Sequence, residues 1–102
     1  MKNRVENIQK LLEGVIGNKN VYFQPPSNVY MRYPAIVYSV NMIKNRHADD
    51  KVYKRNDVYK ITVIDKNPDS EIVERMLDIP YCSFDRMFTS DNLNHFVFTL
   101  YS

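Results

Sequence analysis

The chain has few of the residues that many kinds of chemistry require. Its 102 residues include two glycines, one cysteine and no tryptophan. Two glycines argue against a glycine-rich loop that holds phosphate, and a single cysteine excludes an internal disulfide, which suits a reducing compartment. No stretch approaches the ~18 apolar residues of a membrane span, and the N-terminus has no apolar core of signal-peptide length. We therefore expect a protein that is made and used in a cytoplasm, without contact to a membrane.

The charges are balanced and mixed along the chain. Fourteen basic and twelve acidic residues give a net charge of +2. A protein that binds nucleic acid through phosphate contacts would have a basic excess or a basic stripe. The sequence therefore predicts no nucleic-acid specificity, and the length predicts one domain over residues 1–102.

Two segments have the periodicity of amphipathic helices. Residues 3–16 place apolar side chains on one face, with Asn3 and Glu6 in a capping-box pattern and Gly17 suited to the left-handed position after the helix. The apolar face consists of Val5, Ile8, Leu11, Leu12, Val15 and Ile16. A second helix is predicted from residues 67–70 to Pro80, with Asn67 or Ser70 as the cap and Pro68 in the first turn. Its apolar face consists of Ile72, Val73, Met76, Leu77 and Ile79.

The remaining apolar segments are rich in β-branched and aromatic residues, which favour strands. Residues 34–43 and 57–65 predict two central antiparallel strands, and residues 81–88 and 93–101 predict two more around a polar turn at 89–92. A short edge strand is predicted over Val21, Tyr22, Phe23 and Gln24, ended by two prolines. The order α-β-β-β-α-β-β predicts an α+β fold, with a mainly antiparallel sheet and two helices packed on one face.

A charged segment, residues 44–56, connects the two central strands. It is long for a hairpin loop, although Val52 and Tyr53 can begin the return strand. Such a segment is either a functional arm or a solvated connection, and the sequence favours neither. The candidate interface residues in it are Lys44, Arg46, His47, Asp49, Asp50, Lys51, Tyr53, Lys54 and Arg55.

Residues able to support catalysis are sparse. His47 with Asp49 and Asp50 resembles part of a metal site, yet three or four convergent ligands are needed, so a solvated loop is the better interpretation. Asp85, Asp91 and His95 surround the last turn, where Asp91 is more simply a turn former. Cys82 lies between aromatic residues and is interpreted as a small buried apolar side chain. We expect no cofactor, no metal and no catalytic activity.

Five stretches carry a resemblance to a known family. They are NIQKLLE at 7–13, VYFQPP at 21–26, YPAIVY at 33–38, YKITVIDKNPDS at 59–70, and FDR at 84–86 with TSDNLNHFVFTLY at 89–101. In these stretches the chain resembles the phage tail terminator or tail completion proteins of Gram-positive phages and prophages, also called minor capsid or head–tail joining proteins. The resemblance covers nearly the whole chain.

The resemblance implies a structural subunit of the virion, in its tail or neck region, assembled in the host bacterial cytoplasm. It implies a homo-oligomeric ring, a hexamer, that caps the tail tube and contacts the tube protein and the head or neck connector. The hairpin at 44–56 would then be an arm to neighbouring subunits or to the tube, and Val21–Gln24 a second interface. Two alternatives stay open: an adaptor that binds a protein partner by strand addition, and a small hydrolase or nuclease built on His47, Asp49 and Asp50.

Overall fold

The computed structural model describes residues 2–25, 30–48 and 51–101, with side chains at 7–25, 30–41 and 57–101. The elements in chain order are α1 (Lys2–Ile16), β1 (Val21–Phe23), β2 (Ala35–Ala48), β3 (Lys51–Asp65), α2 (Glu71–Leu77), β4 (Cys82–Ser90) and β5 (Leu93–Tyr101). This order confirms the predicted α+β class, with its two helices and mainly antiparallel sheet.

The five strands form one sheet in the order β1-β2-β3-β5-β4. β1 runs parallel to β2, and every other neighbouring pair is antiparallel. Tyr59, Ile61 and Val63, which alternate along β3, are fully buried, and both helices cover this face of the sheet, in agreement with the predicted packing of two helices on one face. We call it the helix face. The core there is built by Ile8, Leu12, Ile16, Val21, Ile36, Tyr38, Tyr59, Ile61, Val63, Ile72, Met76, Phe96, Phe98 and Leu100.

The β2–β3 hairpin extends well beyond the sheet. β1 pairs only with residues 36–38 of β2, and β5 pairs only with residues 58–65 of β3. Beyond them the two strands continue as a pair as far as Ala48 opposite Lys51. The expectation of a long loop at 44–56 is therefore wrong for 44–48 and 51–56, because the ladder continues there. We call residues 42–48 with 51–57 the ribbon; the molecule measures 51 × 26 × 23 Å.

The start of α1 differs from the predicted one, whereas Ser70, one of the two predicted caps of the second helix, holds the N-cap position of α2. α1 begins at Lys2, so Asn3 lies inside the first turn instead of at the cap. α2 begins at Glu71, after an N-cap at Ser70 whose side chain makes no capping hydrogen bond. Asn67 caps a preceding turn instead, since its Oδ1 accepts a hydrogen bond from the Asp69 amide at 3.0 Å. Pro68 thus precedes the helix.

Two predicted core leucines are exposed. Leu11 of α1 is 41% exposed and Leu77 of α2 is 52% exposed. Among the side chains that the structure describes, each helix buries a narrower stripe than its sequence suggested, because only Ile8, Leu12 and Ile16 on α1, and Ile72 and Met76 on α2, are buried. Leu77 therefore leaves apolar surface exposed on α2.

Substitution of the two glycines by alanine should have opposite effects. Gly17 ends α1 with φ +82°, as predicted, and its amide donates to the Glu13 carbonyl at 2.9 Å. Gly17→Ala should destabilise the fold by about 1 kcal/mol, because a Cβ is strained at positive φ. Gly14→Ala is the matched control: it lies inside the helix with open space around it, and should stabilise by up to about 1 kcal/mol. Urea unfolding measures both; destabilisation by both variants would contradict this account.

Candidate functional site

Strand β4 forms one outer edge of the sheet. It pairs with β5 on one side, and no described strand pairs with its other side. All of its side chains are exposed except Cys82, which is half-buried. A nine-residue strand with an open edge offers unpaired backbone groups to another strand. We call this open side of Cys82–Ser90 the β4 edge.

A tight turn sets the position of β4. Asp91 and Asn92 have φ values of +54° and +62°, and Ser90 pairs with Leu93, so the hairpin closes through two residues. Two successive positive φ values are typical of a type I′ turn, for which Asn and Asp are well suited. The predicted turn at 89–92 is thus shorter than expected, and Thr89 and Ser90 belong to the strand.

Apolar side chains lie along the β4 edge on the helix face. Phe84 is 47% exposed and Met87 is 46% exposed. Three residues apart in a regular strand they would point to opposite faces, but an irregularity between Phe84 and Arg86 shifts the register. Phe84 is therefore opposite Phe98 and Met87 opposite Phe96, two residues that belong to the core.

Helix α2 carries a further exposed apolar side chain, Leu77, which is 52% exposed. The Arg75 Nη1 donates to the Val15 carbonyl of α1 at 2.9 Å, so this side of α2 points toward α1. Leu77, two residues later, lies about 200° further round the helix. This angle directs it away from α1, and α2 also contacts β4. We call Leu77, Phe84 and Met87 the edge patch.

The other face of β4 holds His95 in a stacked contact. The rings of Phe88 and His95 lie 4.7 Å apart between centroids and within 10° of parallel. His95 Nδ1 lies 3.1 Å from the Leu93 carbonyl oxygen, which can only accept, so Nδ1 carries the proton. Asp91 lies in the two-residue turn of the hairpin, which agrees with its interpretation as a turn former. The contacts of His95 are those of a residue that holds the hairpin together.

β1 forms the opposite edge of the sheet, as the sequence predicted. Its ladder is only three residues long, and the backbone turns at Gln24, which has φ +43°. Gln24 is tied to β2, since its amide donates to the Tyr38 carbonyl at 2.9 Å and its Oε1 accepts from the Val40 amide at 3.2 Å. Phe23 is 39% exposed, and its ring lies 5.0 Å from that of Tyr38.

A polar network beneath β1 joins it to α1. The Tyr38 hydroxyl donates to Gln9 Oε1 at 2.6 Å, and Gln9 Nε2 donates to the Val21 carbonyl at 3.1 Å and to Glu13 at 3.0 Å. Burial, with smaller contributions from Tyr59 and Glu13, raises the pKa of Tyr38 to about 12. The phenol therefore stays protonated and donates to Gln9 throughout the neutral range.

Alkaline pH should weaken the fold through Tyr38. A folded-state pKa near 12 against an ordinary value of 10.0 means that the folded protein holds this proton more tightly. The stabilisation is complete below pH 10 and is lost between about pH 10 and 12, with a slope of at most about 1.4 kcal/mol per pH unit. Urea unfolding across this range should show a smaller slope for Tyr38→Phe. Tyr81→Phe, at an exposed position, should keep the wild-type slope; equal slopes in all three proteins would contradict the assignment.

The described residues offer little that supports catalysis. Among them, no three His, Cys, Asp or Glu side chains lie close enough to hold a metal ion. Burial raises the pKa of the Cys82 thiol, which disfavours the reactive thiolate. The recesses lined by described residues include an open one of about 850 Å³ and another of about 530 Å³. The larger is lined by Tyr30, Met31, Arg32, Tyr33, Lys66, Asp91, Asn92 and Leu93, and the smaller by Asp65, Asn67, Asp69, Glu71, Ile72, Glu74 and Arg75.

The interface residues expected from the sequence fall in three places. The four residues of Val21–Gln24 lie at the β1 edge. The backbones of Lys44, Arg46, His47, Lys51, Tyr53, Lys54 and Arg55 lie on the ribbon. Asp49 and Asp50 lie outside the described residues, so the interpretation of His47, Asp49 and Asp50 as part of a solvated loop stays a prediction.

Sequence reasoning missed the β4 edge and its patch. Phe84 and Met87 have the spacing of residues on opposite faces, and only the register shift between them places both on the helix face. Leu77 has the helical spacing of the predicted apolar face of the second helix, so its sequence position did not indicate that it is exposed. The one available signal was the density of large apolar residues in a strand that also carries Asp85 and Arg86.

The fold and this surface define a small α+β protein whose sheet has one long open edge, with a paired ribbon that projects from it. Comparison with protein-family models, curated proteins and solved structures finds no match to the chain. No helix in the described part of the chain is both long and apolar enough to cross a membrane.

Proposed function

We propose that the protein is a ring-forming structural subunit of a phage tail or a tail-like particle, which caps the tail tube and joins it to the head or neck. The family resemblance of the sequence suggests this class of protein. The observation that carries the proposal is the open β4 edge with its apolar patch, at the opposite end of the sheet from β1.

A closed ring of identical subunits requires two different, complementary surfaces on each subunit. Such head-to-tail contacts repeat by rotation until the ring closes. The two sheet edges satisfy this requirement, because one is nine residues long with exposed Phe84 and Met87 and the other is three residues long with exposed Phe23. Each edge lacks a further strand among the described residues.

The ribbon fits the role of an arm to a neighbouring subunit or to the tube. A two-stranded ribbon alone is marginally stable in water, so one that extends beyond its sheet gains stability from a partner. Its sequence carries five basic residues, Lys44, Arg46, Lys51, Lys54 and Arg55, against one acidic residue, Asp57, whose side chain is buried. This excess of positive charge favours an acidic surface on the partner.

Loss of the ribbon charges should weaken assembly and leave the fold intact. Replacing Lys44, Arg46, Lys51 and Arg55 by Ala should shift the association midpoint about tenfold or more in concentration, since several charge pairs are lost together. Sedimentation velocity measures association, and urea unfolding measures the fold. The matched control replaces four exposed lysines of the body, Lys10, Lys19, Lys60 and Lys66, by Ala, and should assemble normally. Normal assembly of the ribbon variant would contradict the arm.

A second candidate function is a protein-binding adaptor. The open β4 edge favours it, because an exposed strand accepts an extended peptide by strand addition. The two candidates differ in self-association. A ring subunit assembles alone into one closed species, whereas an adaptor stays a monomer or a dimer and binds one peptide strand per subunit. Analytical ultracentrifugation of the purified protein separates these outcomes.

A further inference from the structure

We propose that the ring closes through its sheets: the β4 edge of one subunit pairs with β1 of a second copy, with Met87 opposite Phe23. The sheets of all subunits then form one continuous sheet around the ring. This inference rests on the proposed function, because it specifies the contact between neighbouring subunits of the ring. We call this contact the seam.

Strand directions make this seam antiparallel. β1 runs parallel to β2, and the steps from β2 to β3, β5 and β4 each reverse direction. Three reversals leave β4 opposite in direction to β1. A rotation about an axis along the strands brings β4 of one subunit beside β1 of the next without inverting either strand, so the two edges meet as an antiparallel pair.

Backbone parity selects the residues that face outward on β1. The Asn20 carbonyl accepts from the Ile36 amide, and the Gln24 amide donates to the Tyr38 carbonyl. The backbone groups of Asn20, Tyr22 and Gln24 thus face β2. Those of Val21 and Phe23, which alternate with them, point away from β2. Gln9 already donates to the Val21 carbonyl, which keeps its second lone pair.

Backbone parity also selects the outward-facing residues of β4. Its two-residue turn makes Ser90 and Leu93 a hydrogen-bonded pair, so Ser90 and Phe88 bond to β5. The backbone groups of Met87 and Thr89 consequently point outward. Pairing Phe23 with Met87 therefore joins two outward-facing residues, and Val21 then meets Thr89.

Side-chain chemistry agrees with this register. Phe23 lies opposite Tyr38 and Met87 opposite Phe96, so both side chains lie on the helix face, where Met–aromatic contact is favourable. The next pair, Tyr22 with Phe88, joins two aromatic side chains on the other face. Half-exposed apolar surface on both edges is thereby removed from water.

One competing arrangement uses β4 twice. Two copies of β4 can pair around a two-fold axis, with Asp85 opposite Arg86 and Phe84 opposite Met87. That contact is self-complementary, so it closes as a dimer and leaves β1 without a partner. A ring needs a contact that does not close as a dimer, so it favours the β4–β1 seam. Cross-linking separates the two arrangements.

Cross-linking of the full-length chain tests the seam. In a Cys82→Ala background, a Phe23→Cys/Met87→Cys variant should oxidise into a ladder of covalent oligomers, because paired Cα atoms lie about 5.5 Å apart. Each single variant should stay monomeric on a denaturing gel, and a mixture of the two singles should give dimers only. A Phe84→Cys/Met87→Cys variant should give no cross-link; a covalent dimer from it, without a ladder from the first variant, would overturn the seam.

Hydrogen exchange of the unmodified protein gives an independent readout. Upon assembly, the amides of Phe23, Met87 and Thr89 should exchange at least about tenfold more slowly than in the dissociated protein. Light scattering on the same samples separates the two levels of the proposal. A ring in which these amides exchange freely contradicts the seam and keeps the proposed function, whereas a monomer at every concentration contradicts both.

Discussion

Ile61→Asp should abolish cooperative unfolding of the protein. Ile61 is fully buried in the central strand β3, with Tyr38 and Phe98 as its neighbours on the adjacent strands. An unpaired carboxylate there costs about 5 kcal/mol or more, which approaches the total stability of about 5 to 15 kcal/mol of a natural domain. Circular dichroism during thermal unfolding should show no sharp transition.

Lys60→Asp is the matched control, because it introduces the same side chain one residue away. Lys60 is exposed on the opposite face of the sheet. The control should unfold cooperatively within about 0.5 kcal/mol of the wild type. A folded Ile61→Asp protein, or a Lys60→Asp protein that fails to fold, would show that the faces of β3 are assigned in reverse.

Met87→Asp should prevent assembly and leave the fold intact. Met87 is half-exposed in the subunit and lies at the centre of the proposed seam, opposite Phe23 of the next copy. A carboxylate enclosed against apolar side chains without a partner costs several kcal/mol at every contact in the ring. Sedimentation should show monomer at concentrations where the wild type forms rings, with an unchanged urea midpoint.

Ser83→Asp tests whether any new charge on β4 has this effect. Ser83 is exposed on the same strand, but it lies opposite Thr99 on the other face of the sheet and outside the residues that meet β1. It should assemble like the wild type. If the Met87→Asp variant forms rings, Met87 does not lie in the contact between subunits. If both variants are monomers, any added charge on β4 prevents assembly.

The sequence predicted the core of the fold well because burial leaves a periodic pattern. Tyr59, Ile61 and Val63 alternate along β3, and Ile8, Leu12 and Ile16 repeat along α1, so each set marks the face that packs. The open β1 edge was also predictable, since the prolines at 25 and 26 exclude a longer ladder.

The ribbon was misjudged because its strand character does not come from burial. Residues 44–56 are rich in Lys, Arg, Asn and Asp, and several of these are depleted in strands, so the pattern predicted a loop. The ladder nevertheless continues there, from a register set further along by Ile36 opposite Val63 and Tyr38 opposite Ile61. Local composition has little influence once neighbouring residues fix the pairing.

The candidate site was the least predictable feature. A partly exposed strand at a sheet edge contains the same residue types as a buried one, so Phe84, Met87 and Phe88 do not indicate by type that their strand is an edge. Only the strand order β1-β2-β3-β5-β4 shows that β4 has no second neighbour among the described strands. That order depends on long-range pairing, which the local pattern does not contain.

The mass of the purified protein in solution decides whether its subunits form a ring. Multi-angle light scattering over a range of protein and salt concentrations should find one discrete species near six subunits, in exchange with monomer at low concentration. A discrete ring would support the structural subunit and direct attention to the β4–β1 seam. A monomer at every concentration and salt would contradict the ring and favour the adaptor.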